Sequence, residues 1–226
     1  MVMSAAGDAP ITRRRVAILI SGRGSNMTAL IAGARAPGYP AEIALVLASR
    51  ADAGGLALAE AAGIPVATVA SSAFKGDRAG FEQAMQAVLD AHAIELVALA
   101  GFMRILTPGF VAAWQGRMLN IHPSLLPAFP GLDTHARAIA GGAKLHGCTV
   151  HLVSPGVDEG PILAQVAVPV LAGDTEASLA ARVLEQEHRI YPAALAWVAA
   201  GRRTPPEAEG ALANPLPRDD WLPKSR

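Results

Sequence analysis

Only one cysteine, Cys148, occurs in 226 residues. That excludes an internal disulfide framework and any metal site built from several thiolates, and it suits a reducing compartment. Aromatic residues make up 4% of the chain, and 19 basic residues balance 19 acidic ones. With no basic stripe either, a nucleic-acid or membrane-surface protein is disfavoured and a small molecule is the expected partner. No apolar run is long enough to span a bilayer, and the opening MVMSAAGDAPITRRR lacks the basic-then-apolar order of a signal peptide. A cytoplasmic location is expected. No G-x-S-x-G elbow surrounds Ser124, and neither H-E-x-x-H nor C-x-x-C occurs, so nucleophilic and metal catalysis lack their usual frames. His122, His135, His151 and Asp158 could in principle bind a metal, but their spacing supports none, and no metal is expected.

What the chain does have is 52% apolar residues, enough to fill the core of one α/β domain. Short β-branched runs alternate with Ala-rich stretches of helical spacing, the pattern of a doubly wound, Rossmann-like, mostly parallel sheet with helices on both faces. VAILI (Val16–Ile20), IALVLA (Ile43–Ala48), PVATVA (Pro65–Ala70) and IELVALA (Ile94–Ala100) are continuously apolar, which predicts buried strands. Helices are predicted over Asn26–Ala36, Ala53–Ala62 and Asp77–His92. Beyond them come a short helix near Pro108–Trp114, the strand MLNIH, a proline-rich loop and a helix over Thr134–Ala140. Strands CTVHLV and ILAQVAV follow, expected to pair antiparallel, then a long helix over Thr175–Ala200 that Pro192 should kink. A flexible extension (1–14), one domain (15–202) and a Pro-rich tail (203–226) complete the expected organisation.

Four stretches could carry chemistry. SGRGSN (Ser21–Asn26) follows the first strand and opens a helix, where backbone N–H groups and the helix dipole favour a phosphate. A dinucleotide fingerprint would want glycine where Met27 stands and an acid near Ser49 and Arg50, so NAD is disfavoured; a tight turn without a ligand stays open. LAGFMRIL (Leu99–Leu106) ends the fourth strand, where open sheets place their crevice. Its apolar residues suit either a wall around a flat ring or ordinary core. In MLNIHPSLLPAFPG (Met118–Gly131), Asn120 and His122 share one strand face, and Pro123, Pro127 and Pro130 stiffen the exit. A rigid donor pair of this kind stabilises negative charge developing on a carbonyl oxygen. HLVSPGVDEGPIL (His151–Leu163) places Asp158 in a Pro/Gly-bounded loop, either as an orienting and proton-accepting carboxylate or as a solvated hairpin acid.

ILISGRGSN, ALAGFMRIL, MLNIHPSLLPAFPG, HGCTVHLV, VDEGPILAQ and EQEHRIYP, in this order, closely resemble the phosphoribosylglycinamide formyltransferases, a folate-dependent formyltransferase family. The resemblance runs from about Val16 to Arg202. It implies transfer of the formyl group of 10-formyltetrahydrofolate to the amine of glycinamide ribonucleotide, in de novo purine synthesis, through a tetrahedral oxyanion and without a metal or covalent intermediate. Residues 15–115 would form the nucleotide and phosphate half, and residues 116–202 the folate and catalytic half. Gly24, Ser25 and Asn26 would hold the phosphate, with Glu187 reaching the substrate from the other side. Arg78, Met103, Arg104, Ile105, Leu106, Asn120, Ser154, Pro155, Gly156, Val157 and Asp158 would line the formyl-folate site. Asn120, His122 and Asp158 would be catalytic, with Asp158 keeping His122 charged and helping to move the proton. Asp133 and Leu184 depart from the family pattern, where His and Gln are usual, which touches substrate contacts but not this trio. Formyltetrahydrofolate hydrolase and other folate-dependent formyltransferases are the alternatives; their extra domains leave the small-substrate transferase, as monomer or homodimer, the better match to this length.

Overall fold

The computed structural model describes residues 13–202; the expected tail and nearly all of the expected N-terminal extension lie outside that range. The four early apolar runs form β1 (Arg14–Ile20), β2 (Ala41–Ala48), β3 (Val66–Thr68) and β4 (Leu96–Leu99). Between them run α1 (Ser25–Ala34), α2 (Gly55–Ala61) and α3 (Arg78–Ala91), plus a 3₁₀ turn over Ser71–Phe74 that the sequence pattern does not reveal. There follow α4 (Pro108–Ala113), β5 (Met118–His122), α5 (Thr134–Ala140), β6 (Leu145–Leu152), β7 (Ile162–Pro169) and α6 (Glu176–Ala199).

All seven strands form one sheet in the order β3-β2-β1-β4-β5-β6-β7. The first five are parallel, and β6 pairs antiparallel with both β5 and β7. Antiparallel pairing thus starts one strand earlier than the expected β6–β7 pair. The central strands are buried on both faces, and alternate residues serve different layers. Val16, Ile18 and Ile20 join the core under α1 and α6, whereas Ala17 and Leu19 join the core under α3 and α4. From β1 the chain winds outward to β3, then returns to place β4 on the other side of β1. At such a reversal the connections leaving the two carboxyl ends part and open a crevice.

α6 begins with a capping box: the Thr175 hydroxyl accepts from Ser178 N at 3.2 Å, and the Ser178 hydroxyl accepts from Thr175 N at 3.0 Å. The helix runs on through Pro192 to Ala199. The Pro192 ring rests on Gly33 of α1, where an added Cβ would come within 2.7 Å of the ring. Next to it, the buried Tyr191 hydroxyl faces the carbonyls of Leu99 (2.9 Å) and Leu119 (3.2 Å), tying α6 to β4 and β5.

Candidate active site

The crevice begins where β1 ends. Gly24 takes φ 80° and caps α1 without any side-chain hydrogen bond. A Cβ there would lie 3.0 Å from Gly55 Cα and from the Met27 methyl, so both conformation and space call for glycine. A cavity of about 340 Å³ opens beside this turn, lined by Ser21, Arg23, Gly24, Asn26, Arg50 and Arg104 among others. First-turn N–H groups of α1 beside Arg23, Arg50 and Arg104 give the cavity the character that suits an anion. Arg50 is itself oriented by Asp52, through bonds of 2.8 and 2.6 Å. Asn26 and Glu187 do not stand apart: Asn26 Nδ2 donates to Glu187 Oε2 at 2.7 Å, across the junction of α1 and α6. Burial raises the Glu187 carboxyl above its usual range, and the Asn26 hydrogen bond opposes that rise. Asn26 Oδ1 is buried without a partner.

The second cluster forms where β5 meets β6. Asn120 is in register with His151, and His122 with Thr149, so all four side chains share one face. His122 Nε2 lies 3.0 Å from the Phe129 carbonyl, and its Nδ1 lies 3.3 Å from Asp158 Oδ2. Both neighbours are acceptors when Asp158 is ionised, an arrangement that the imidazolium satisfies with its two N–H donors. Asp158 stands at φ 57° with its side chain 11% exposed, and its Oδ2 also accepts from Gly131 N at 2.9 Å. Its loop folds so tightly that a Cβ on Gly160 would sit 1.6 Å from the Leu152 oxygen.

His151 completes this cluster. Its Nδ1 lies 3.0 Å from the Leu152 carbonyl, an acceptor, which puts the proton on Nδ1 and turns the Nε2 lone pair toward Asn120 Nδ2 at 3.2 Å. Burial pushes the His151 ring below its ordinary pKa, in keeping with a neutral ring. Asp158 also lies beside this ring, its Oδ1 3.8 Å from His151 Nε2, beyond hydrogen-bond distance.

The proline-rich exit from β5 is held by more than its prolines. Ser124 donates to Ala128 O at 2.6 Å, Thr134 to Pro123 O at 2.7 Å, and Thr149 to Ser124 O at 2.6 Å. Gln165 Nε2 adds a bond of 2.7 Å to Leu126 O. These bonds fix the Phe129 carbonyl and Gly131 N–H that touch the catalytic candidates.

The residues expected around formyl-folate lie on three segments. Arg78 starts α3, where Asp77 caps Gly80 N at 2.9 Å. After β4, Phe102 and Leu106 pack into the core under α3, while Met103 and Ile105 are 69% and 65% exposed, leaving apolar side chains presented outward. Arg104 lies between them on the wall of the cavity beside the glycine turn, which Met103 also lines. Ser154, Pro155, Gly156 and Val157 form the turn that leads to Asp158, with Val157 57% exposed.

Sequence reasoning passes over Arg23, Arg50 and the role of His151. Arg23 sits inside the glycine motif itself. His151 has the same two-residue alternation with Thr149 that Asn120 has with His122, but only the antiparallel register reveals that the two pairs meet.

Residues 14–195 match the family profile described as formyl transferase. The chain is 46% identical over 187 residues to the phosphoribosylglycinamide formyltransferase of Escherichia coli (strain K12), covering 83% of this chain and 88% of that protein. It is 50% identical over 189 residues to the human trifunctional purine biosynthetic protein adenosine-3, covering 84% of this chain. Here the chain spans only 19% of the relative's length. The crystal structure of phosphoribosylglycinamide formyltransferase from Brucella melitensis superposes with a TM-score of 0.80 at 58% identity, covering 84% of this chain and 97% of the other. The glycine turn, the Asn120–His122 strand end and the Asp158 loop occur here on a matching fold and sequence, and the chain belongs to the formyl transferase family, among the phosphoribosylglycinamide formyltransferases.

Proposed function

We propose that the chain transfers the formyl group of 10-formyltetrahydrofolate to the amine of 5-phosphoribosylglycinamide, giving formylglycinamide ribonucleotide and tetrahydrofolate. The observation that carries this reading is the placement of His122 against Asp158 beside Asn120 on one strand face. The Gly24–Asn26 turn and its N–H groups hold the phosphate, and Glu187 with Asn26 faces the rest of the ribonucleotide. Arg78, Met103–Leu106 and Ser154–Asp158 receive the formyl-folate, its flat ring covering the outward apolar side chains. Both substrates are small molecules, and the single thiol agrees with a cytoplasmic enzyme. Among the described residues, no helix is long and apolar enough to cross a membrane.

The ribonucleotide amine attacks the formyl carbon, and the carbonyl π electrons move onto oxygen. Asn120 has one amide hydrogen committed to His151 and the other free for the oxyanion. The cationic His122 adds its charge, and its Nε2–H once released from the Phe129 carbonyl. Asp158 holds the His122 ring through its Nδ1 and, directly or through a water, passes the proton lost by the attacking nitrogen toward N10 of the folate. When the oxyanion collapses, the carbon–N10 bond breaks and N10 leaves protonated. Fixed donors around the developing charge and two co-bound reactants supply most of the rate in such a transfer.

The test is an assay of the purified protein with 10-formyltetrahydrofolate in the presence and absence of the ribonucleotide. Tetrahydrofolate released only when the ribonucleotide is present supports the transferase. Release without it would make the protein a hydrolase, and no release under either condition would refute catalysis on this folate.

A further inference from the structure

We infer that Glu82 is a positioning residue for formyl-folate, holding the Met103–Leu106 segment in the shape that receives it. The inference rests on the assignment of that segment to the folate made above. Residues 102–107 adopt neither helix nor strand, so no ladder of backbone bonds sets their course. Two side chains from elsewhere in the chain do so instead.

At the entrance, the Ser21 hydroxyl accepts from Met103 N at 2.9 Å and lies 2.7 Å from the hydroxyl of Ser49, which is 1% exposed. At the exit stands Glu82, a carboxylate 6% exposed that forms no ion pair among the described residues. Its two oxygens each take one donor from Thr107: the backbone N–H at 2.6 Å and the side-chain hydroxyl. Burying a carboxylate without a cation is unfavourable, so simple packing does not account for it.

The chemistry of the acceptor matters. Thr107 is also the N-cap of α4, and its oxygen accepts from Phe110 N at 3.3 Å. A carboxylate can only accept, so it draws the hydroxyl proton to itself and leaves the oxygen lone pair for Phe110. A carboxamide offers one acceptor atom in place of two, so one of the two Thr107 donors would face an NH₂ and lose its partner. Four residues further along α3, Gln86 accepts from Trp114 Nε1 at 2.8 Å and fixes the far end of α4. Arg78, Glu82 and Gln86 recur at the four-residue spacing that shares one helix face. That face presents Arg78 to the folate and also fixes where the folate-lining segment ends.

The experiment compares Glu82→Gln, Thr107→Val and Thr107→Ser for tetrahydrofolate affinity by calorimetry, KM for each substrate, kcat and thermal melting. Small displacements of a binding segment have large effects on function. Glu82→Gln and Thr107→Val are expected to weaken tetrahydrofolate binding and raise KM for formyl-folate by about tenfold, with KM for the ribonucleotide within about twofold of wild type. Thr107→Ser, which keeps the hydroxyl, should behave as wild type. Unchanged tetrahydrofolate affinity in Glu82→Gln, or an equal rise in both KM values, would overturn the positioning role. If Glu82→Gln does not fold, Thr107→Val carries the same test and the same two outcomes. Wild-type protein that binds no tetrahydrofolate would instead overturn the folate assignment, so the two failures are told apart.

Discussion

Asn120 and His151 face each other across the β5–β6 ladder, with the Asn120 amide nitrogen 3.2 Å from Nε2 of a buried ring whose other nitrogen donates to the Leu152 carbonyl. One amide hydrogen is thereby committed and the other is aimed. Replacing His151 with Phe keeps an aromatic ring but removes the acceptor, so the Asn120 amide is free to turn. The expected result is a fall in kcat of about tenfold, less than the 10² or more usual when an oxyanion donor is lost outright. Steady-state kinetics on His151→Phe check it, with Asn120→Ala as the reference for complete loss.

His122→Ala should lower kcat by about 10² or more while both substrates still bind, because it removes the charge that meets the oxyanion. Asp158→Asn acts on the same ring and should be similarly damaging. Since the two side chains work as a pair, the double variant should lose little more than the worse single one. Additive losses would show that they act independently.

Asn26→Ala removes the donor that opposes the rise of the Glu187 carboxyl. Glu187 should then protonate more readily, and KM for the ribonucleotide should rise more than KM for formyl-folate, with the gap widening as pH falls. KM values for both substrates across a pH series give the answer. A larger effect on the folate would assign the glycine turn to the other substrate.

Stability should depend on the His135–His146 pair under α5. The rings stack edge to face with centroids 5.2 Å apart. Burial, then the neighbouring His135, pushes His146 from 6.5 down to about 4. Between those values the unfolded chain takes up a proton that the folded one refuses, so stability falls as pH drops from 6.5 toward 4. Melting temperature should decline across that window, and His146→Phe should flatten the decline.

The parts of the fold visible in the sequence are those with continuous apolar strands or helical spacing. β1, β2 and β4 fall where their apolar runs predict, because strands covered on both faces must be apolar throughout, and β5 falls on the predicted MLNIH. PVATVA shortens to the three residues of β3, since it is an edge strand paired only with β2. The Asn120–His122 pair is legible as a two-residue alternation. His151 and Glu82 are not, since each acquires its neighbour from a segment at least 25 residues away. Strand register and helix docking decide those contacts, and local spacing says nothing of either.

Gly33 and Pro192 touch where α1 and α6 cross, and there is no room between them for a single methyl group. Asn26 lies about two turns back along α1 from that crossing, and Glu187 just over one turn back along α6. The crossing works as the pin of a pair of tongs, whose tips are the amide and the carboxylate. A side chain at position 33 would push the two helices apart and strain the Asn26–Glu187 bond, so the reach between amide and carboxylate is gauged by a hydrogen atom a full turn or more away from either.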